Sequence, residues 1–404
     1  YNELMSNSRV KISIQQLRPG MFVEKTYTDQ GILLFSSNSL IANFHEIEVL
    51  RRQGVSVLEI NARKGLIPPG VTVEPELEEP EHDFTLYTEQ LREINEVRKG
   101  TINAVKIMMS AAKEDKFFTF TPLMNNLHKL ISVITSVPDI ALGLCQIKSS
   151  SDYLYSHSVN VSVMMMGLAH MLGYSKKMIL DAGMAGLLHD IGAIKIPENI
   201  LRKESRRTNF EMELYRKHPA FGLEIIKNYK TEFPERILET ILSHHERING
   251  GGFPNRLKGE MIDELALLCA VTDTFDRLTT SGIGRKACLP QEALALIFQG
   301  SDEEYPRQLV EYFTKLLGVY PVGSLVKLES GEMGIVVKIN RDKLLYPQVL
   351  IVTDVNGSRL EKPQYRDLSS FTRDNYRELW KITASLDPRS YNIQPSDIIL
   401  RYVA

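Results

Sequence analysis

The sequence predicts a mainly α-helical protein, with an all-α centre flanked by a small α+β domain before it and a small β-rich extension after it. Three observations carry this expectation. Apolar residues recur at helical spacing, with short breaks and almost no strand-like alternation, from about residue 121 to residue 318. Short alternating runs occupy residues 10–61, and strand-and-turn texture returns after residue 318. A chain of 404 residues also exceeds the usual limit of one hydrophobic core, so two or three domains are expected.

In chain order, residues 1–63 read as the small α+β domain. Val10-Lys11-Ile12-Ser13-Ile14 alternates, Pro19-Gly20 turns the chain into Met21-Phe22-Val23, residues 44–53 are helical and residues 55–60 form a strand. Residues 64–83, with Pro68-Pro69-Gly70 and a run of glutamates, cannot bury a core and read as a linker. Residues 84–138 form a helical stalk or connector. Within it Leu91, Ile94, Val97, Ile102 and Val105 mark one long amphipathic helix to residue 113, a stalk or a dimerising element, so a homodimer is one expectation. Residues 139–318 are the helical domain, whose Met164-Met165-Met166 cluster reads as core. In residues 319–404 the runs 320–328, 333–337 and 348–352 predict three strands, followed by helix-like pieces around residues 376–382.

Composition narrows the function classes. A formal net charge of -2 gives no basic excess for bulk nucleic acid, whereas a small nucleotide needs only two or three local cations. Cys145, Cys269 and Cys288 are too few and too scattered for a disulfide framework or a CxxC zinc site, which fits a reducing cytoplasm. No apolar stretch is long enough for a membrane span; residues 161–172 are interrupted by Ser162, Gly167 and His170. The chain begins at Tyr1 without a methionine, which leaves a leader open.

The most informative feature is His189-Asp190, at the end of the apolar run Met184-Ala185-Gly186-Leu187-Leu188, joined downstream by His218, His244-His245 and Asp273. Imidazoles and carboxylates at intervals of about one helix plus a turn suit successive helices that each present a ligand to one interior point, which points to a metal-dependent hydrolase. Any one of these histidines alone reads more simply as a core or surface residue satisfied by a hydrogen bond. Together, adjacent polar pairs inside apolar helical sequence would each cost several kcal/mol to bury without a partner, roughly what a cation offsets.

Residues 153–298 resemble the HD-GYP branch of the HD phosphohydrolases, bacterial enzymes that cleave cyclic di-GMP. The resemblance rests on His189-Asp190-Ile191-Gly192, Ile196-Pro197, His218-Pro219, His244-His245-Glu246, Gly250-Gly251-Gly252-Phe253-Pro254 and Asp273-Thr274-Phe275-Asp276-Arg277-Leu278-Thr279. More weakly, Gln16-Leu17-Arg18-Pro19-Gly20-Met21 is similar to a domain often found before such modules, and the β tail to an extension common after them. The resemblance implies an HD-type helical domain with His157, His189, Asp190, His218, His244, His245 and Asp273 as ligands of two divalent metal ions, iron or manganese, with Asp190 as the bridge. It implies His189 and Asp190 at the catalytic centre and Phe253, Gly252, Arg285 and Lys286 on the substrate, with Phe253 stacking on a guanine and the glycines admitting backbone close to the ligand. Cyclic-di-GMP-synthesising proteins are implied as partners of the Gly-Gly-Gly-Phe-Pro loop.

Four positions depart from the family pattern. Ala193 stands where a lysine usually follows the first signature, and Lys195, two residues on, is expected to point elsewhere. Phe253 replaces a tyrosine; Gly282 and Gly284 precede Arg285-Lys286 where an arginine and a tyrosine are common; Tyr153 takes the place of a glutamate, so two metals are expected rather than three. Arg206-Arg207 reads as solvated surface charge. The expectation is a phosphodiesterase that opens cyclic di-GMP to pGpG and onward to GMP, with reduced activity. The alternatives are a signalling protein that binds cyclic di-GMP or a partner without efficient turnover, and an HD hydrolase of another phosphorylated nucleotide.

Overall fold

The computed structural model describes residues 9–29, 31–61, 66, 81–145, 153–201, 203, 207–227, 229, 233–280, 287–370 and 380–402. Two compact units emerge, Tyr1–Pro80 and Glu81–Ala404. The 64–83 segment read as a linker falls almost wholly outside the described residues.

The first unit is a four-stranded antiparallel sheet in the order β1-β4-β2-β3, built from β1 (Arg9–Ser13), β2 (Phe22–Tyr27), β3 (Leu33–Leu40) and β4 (Val57–Asn61), with α1 (Phe44–Arg52) between β3 and β4. Val10 pairs with Ile60 and Thr26 with Leu58. Ile12, Leu17, Met21, Val23, Ile47, Leu50, Leu58 and Ile60 form the core. Asn43 caps α1 by accepting from Glu46 N, an arrangement that stabilises a helix end by about 1 kcal/mol. Strand β3 is absent from the sequence reading. Its run Leu33-Leu34-Phe35-Ser36-Ser37-Asn38-Ser39 lacks alternation, and pairing with β2 alone makes it a strand.

The second unit opens with α2 (Glu81–Lys113), a single helix. It continues through α3 (Thr121–Ser136), α4 (Pro138–Leu144), α5 (Tyr153–Met171) and α6 (Lys176–Leu188) to a 3-10 turn (Ile191–Lys195). Then come α7 (Glu198–Leu201), α8 (Asn209–Tyr215), α9 (His218–Ile226), α10 (Glu235–Ser243), α11 (Glu264–Thr279), α12 (Pro290–Gln299) and α13 (Arg307–Leu317). Every residue of α5 from Ser156 to Ala169 is buried, the three consecutive methionines among them. A helix buried on all sides must be wrapped by others, and α2, α3, α4, α6, α11 and α13 do this. Ser162 ties α5 to α6 by donating its hydroxyl to Gly183 O at 2.7 Å, which sets the register between the helix that carries His157 and the one that ends at His189.

Among the described residues the C-terminal part holds five strands where three were expected: β5 (Leu325–Leu328), β6 (Met333–Lys338), β7 (Gln348–Thr353), β8 (Arg359–Asp367) and β9 (Ile382–Leu386), in the order β8-β7-β6-β5-β9. Strand β8 is mostly polar and only Arg366 in it is buried, so its sequence shows no apolar face. Ile382, expected in a helix-like piece, begins β9; the rest of that piece up to residue 379 lies outside the described residues. The sheet shares a core with the helices, because Ile94 of α2 and Leu144 of α4 pack with Leu325, Ile335 and Leu350. Asp139 of α4 accepts from Ile339 N at 3.3 Å and pairs with Arg341.

Candidate metal centre

The structure brings all seven residues expected as ligands to one buried point. His157 lies on α5, His189 ends α6 and Asp190 follows it; His218 opens α9, His244 ends α10 with His245 next, and Asp273 lies on α11. None is more than 8% exposed.

The two oxygens of Asp190 face different groups. His157 Nε2 and His189 Nε2 approach Oδ2 at 3.7 and 3.6 Å, and Asp273 Oδ1 lies 3.0 and 3.7 Å from the same two nitrogens. His218 Nε2 and His244 Nε2 approach Oδ1 at 3.1 and 3.6 Å. His245 Nδ1 stands 3.9 Å from Asp273 Oδ2. Two ligand groups therefore share Asp190: His157, His189 and Asp190 on one side, and Asp190, His218, His244 and His245 on the other.

The backbone fixes how the rings present themselves. His189 Nδ1 is 2.7 Å from Gly186 O, His218 Nδ1 is 2.7 Å from Tyr215 O, and His244 Nδ1 is 3.0 Å from Ile241 O, each a carbonyl three residues back. A carbonyl only accepts, so each Nδ1 must carry the proton, and in the neutral ring Nε2 is left as a lone pair. On His157 a carboxylate takes the place of the carbonyl, Nδ1 lying 2.8 Å from Asp276 Oδ2. As a result His218 Nε2 and His244 Nε2, two acceptors, face each other at 3.2 Å. His157 Nε2, His189 Nε2, His245 Nε2 and Asp190 Oδ1 are buried without a hydrogen-bond partner. Each such atom costs on the order of 1–3 kcal/mol unless something else meets it. Lone pairs and anions that converge without protons between them suit a divalent cation, and an outer acceptor on each Nδ1 is the usual support of a metal-binding histidine.

The electrostatics agree at His244 and His245. Burial pushes His244 down to about 4, more than Asp190 offsets, and lowers His245 with the help of His244 and Arg277. Both rings are thus held neutral, the form that ligates. Burial would also lower His157, but Asp273 and Asp276 outweigh it and raise it to about 9; without a cation this ring therefore carries a second proton on Nε2, 3.0 Å from Asp273 Oδ1, which a bound metal ion would displace. Burial would raise Asp190 and Asp273, yet Arg277 and the histidines hold both well below the usual carboxylate range.

Arg277 was not singled out in the sequence. Its Nε donates to Asp273 Oδ1 at 2.5 Å, its Nη2 to Asp190 Oδ2 at 2.8 Å and its Nη1 to Tyr215 Oη at 2.5 Å. A fixed cation therefore binds both carboxylates of the cluster. Glu246 was also missed in its role. Fully buried, it accepts from Asn255 N at 2.7 Å and Leu257 N at 3.0 Å and so holds the Gly-Gly-Gly-Phe-Pro loop closed.

Of the residues expected on the substrate side, Gly252 and Phe253 lie beside His245. Gly252 is buried, and a Cβ there would meet Glu246 Cα at 2.4 Å and His245 O at 2.5 Å, so this glycine lets the loop lie on the His245–Arg247 backbone. Phe253 stacks on His245 with centroids 4.5 Å apart, and Arg216 lies 5.6 Å from the Phe253 ring centroid. Arg285, Lys286, Gly282 and Gly284 lie outside the described residues. Ala193 is buried in the 3-10 turn, and Lys195 pairs with Asp115 at 3.0 Å, away from the cluster. Tyr153 stacks on His157 at 5.5 Å. Arg207, read as solvated charge, instead donates to Ile200 O and Leu201 O and lies over the Tyr215 ring at 4.5 Å, so it braces α8 beside the cluster; Arg206 lies outside the described residues.

Comparison with known proteins follows the same outline. Residues 146–309 match an HD domain, residues 9–122 a domain of unknown function (DUF3391), and residues 325–373 a KOW domain associated with HD domain. A cyclic di-GMP phosphodiesterase of Pseudomonas aeruginosa is 30% identical over 357 residues, which is 84% of each chain. The cyclic di-GMP phosphodiesterase response regulator RpfG of Xanthomonas campestris pv. campestris is 35% identical over 131 residues, 32% of this chain and 35% of its own. A 3'3'-cGAMP-specific phosphodiesterase of Vibrio cholerae is 28% identical over 154 residues, 38% of this chain and 30% of its own. Among the described residues, no helix is long and apolar enough to cross a membrane.

Proposed function

The chain belongs to the HD-domain phosphohydrolases of the HD-GYP type, and from that membership we propose that it hydrolyses cyclic di-GMP to pGpG, and onward to GMP, at the centre around Asp190. The observation that carries the reading is the division of Asp190: each oxygen faces its own set of histidine lone pairs, an arrangement suited to two cations with a shared carboxylate.

In this reading His157, His189 and Asp273 hold one cation, His218, His244 and His245 the other, and Asp190 bridges them. Mixed nitrogen and oxygen ligation suits iron or manganese. When bound, such a pair acidifies a water and neutralises phosphate charge. The chain's own residues do the rest. Asp276 and the Gly186, Tyr215 and Ile241 carbonyls keep the four Nδ1 protons in place, so that the rings cannot rotate out of position. Phe253 forms part of the wall beside His245, and Arg216, exposed next to it, offers a cation to a phosphate. Arg285 and Lys286 remain proposed phosphate contacts. Arg277 supplies a positive charge to the Asp190 carboxylate. The three free thiols fit placement in a reducing cytoplasm, which belongs to the same proposal, as do a homodimer and cyclic-di-GMP-synthesising partners.

One observation favours a second reading, a binding protein with little turnover: Arg277 occupies an oxygen on each of the two carboxylates that a metal pair needs. One experiment separates the two. Protein reconstituted anaerobically with Fe(II) or Mn(II) is mixed with cyclic di-GMP and followed for pGpG and GMP. Product that disappears in the His189→Ala, Asp190→Ala double variant supports the enzyme; nucleotide binding without product supports the sensor.

A further inference from the structure

A line of buried polar contacts runs from the long helix α2 to the centre. Arg98, on α2, is 7% exposed, and its Nη2 donates to Asn160 Oδ1 at 3.3 Å. Asn160, on α5 and 1% exposed, donates its Nδ2 to Asp276 Oδ1 at 3.0 Å. The other oxygen of Asp276 accepts from His157 Nδ1 at 2.8 Å, and His157 Nε2 is one of the atoms left without a hydrogen-bond partner in the cluster. A guanidinium only donates and a carboxylate only accepts. The Asn160 amide between them therefore has one satisfactory orientation, oxygen toward Arg98 and nitrogen toward Asp276. Turned over, it would set oxygen against carboxylate and nitrogen against guanidinium, both repulsive and both strong in a buried site. With Arg98 withdrawn, nothing in this line selects between the two orientations, and the turned-over amide pushes Asp276 from the ring it holds.

We propose that Arg98 is a positioning residue for the metal centre: seated on α5, it orients Asn160, which keeps Asp276 on His157 and so aims His157 Nε2 at the cation. The inference rests on the metal reading given above. Coupling of this kind is reciprocal, so cation binding also tightens α2.

The test uses the full chain, stripped of metal and titrated with Co(II), with the visible absorption bands as readout. Arg98→Met and Asn160→Ser weaken Co(II) binding by about ten- to a hundredfold, the range found when the outer partner of a metal-bound histidine is lost, and change the bands. Arg98→Lys, which keeps a donor and a charge, recovers part of the affinity. In the unaltered chain Co(II) slows amide hydrogen exchange around residue 98, and Asn160→Ser removes that protection. A folded Arg98→Met protein with unaltered affinity and bands overturns the proposal. Should Arg98→Met fail to fold, unaltered Co(II) binding by Asn160→Ser, or exchange around residue 98 that ignores Co(II), overturns it instead. If the unaltered chain binds no Co(II), the metal reading itself falls, and this inference with it.

Discussion

At the scale of single residues, the clustering of the candidate ligands was legible because their chemistry is rare: imidazoles and carboxylates inside apolar helical sequence have few other reasons to be there. What supports those ligands was not. The carbonyls of Gly186, Tyr215 and Ile241 carry no side-chain signal, although histidines three residues beyond a carbonyl at a helix end were the available hint. Arg277 follows Asp276 in a helix where an arginine reads as surface charge, and only the fold turns it between Asp190 and Asp273. Arg277→Ala should raise the affinity for Mn(II) by roughly tenfold, about 1.4 kcal/mol, because it frees one oxygen of each carboxylate; unchanged or weaker binding in a competition titration would contradict this. The cluster also predicts how metal-free protein responds to acid. His244 falls from an unfolded value of about 6.5 to about 4 in the fold. Its folded-state pKa is depressed, so its contribution is present above about pH 6.5 and lost as the pH falls toward 4, on the order of 3 kcal/mol at most. His157 is shifted the other way, and its contribution is retained across that window and lost only as the pH rises through about 9. Urea unfolding of metal-free protein between pH 7 and pH 4 should show the acid decline, and His244→Gln should flatten it.

At the scale of elements, the sequence showed helices well and strands unevenly. Helix α2 and the buried α5 announce themselves by spacing and by continuous apolarity. Strands β3 and β8 do not, since one lacks alternation and the other is mostly polar with no apolar face; neighbouring strands make both. A loop glycine carries a related ambiguity. Glycine beside a suspected site suggests a ligand, but close approach of two backbones demands it equally, and burial decides which applies at Gly252. The same argument gives a prediction at Gly192, where a Cβ would meet His218 O at 2.0 Å and Gly222 N at 2.3 Å. Gly192→Ala must push the 3-10 turn off α9, the helix that opens with His218. A loss of at least about 2 kcal/mol in stability and reduced metal content are expected, since neither backbone can yield cheaply. Thermal melts and elemental analysis of the variant check both; a stable variant with full metal content would contradict the packing described.

At the scale of the whole molecule, the mainly helical class with strands at both ends was readable from texture alone, and the resemblance supplied the function to expect. The sharing of a core between the C-terminal sheet and the helical region was not readable, because it depends on which faces of α2 and α4 remain uncovered once the bundle has formed. A cluster that holds so many unpartnered buried atoms should make the folded state depend on metal. A divalent ion at a hundredfold its dissociation constant should stabilise the chain by about 2.7 kcal/mol, a rise in melting temperature that a chelator reverses. The central claim is that seven side chains from five helices and their ends form one centre divided by Asp190, and metal stoichiometry tests it most directly. Protein loaded anaerobically with Mn(II), freed of excess and analysed for metal per chain should hold two ions, and Asp190→Ala should hold fewer than one. A folded, unaltered chain that retains no Mn(II), or an Asp190→Ala chain that still retains two ions, would contradict the account.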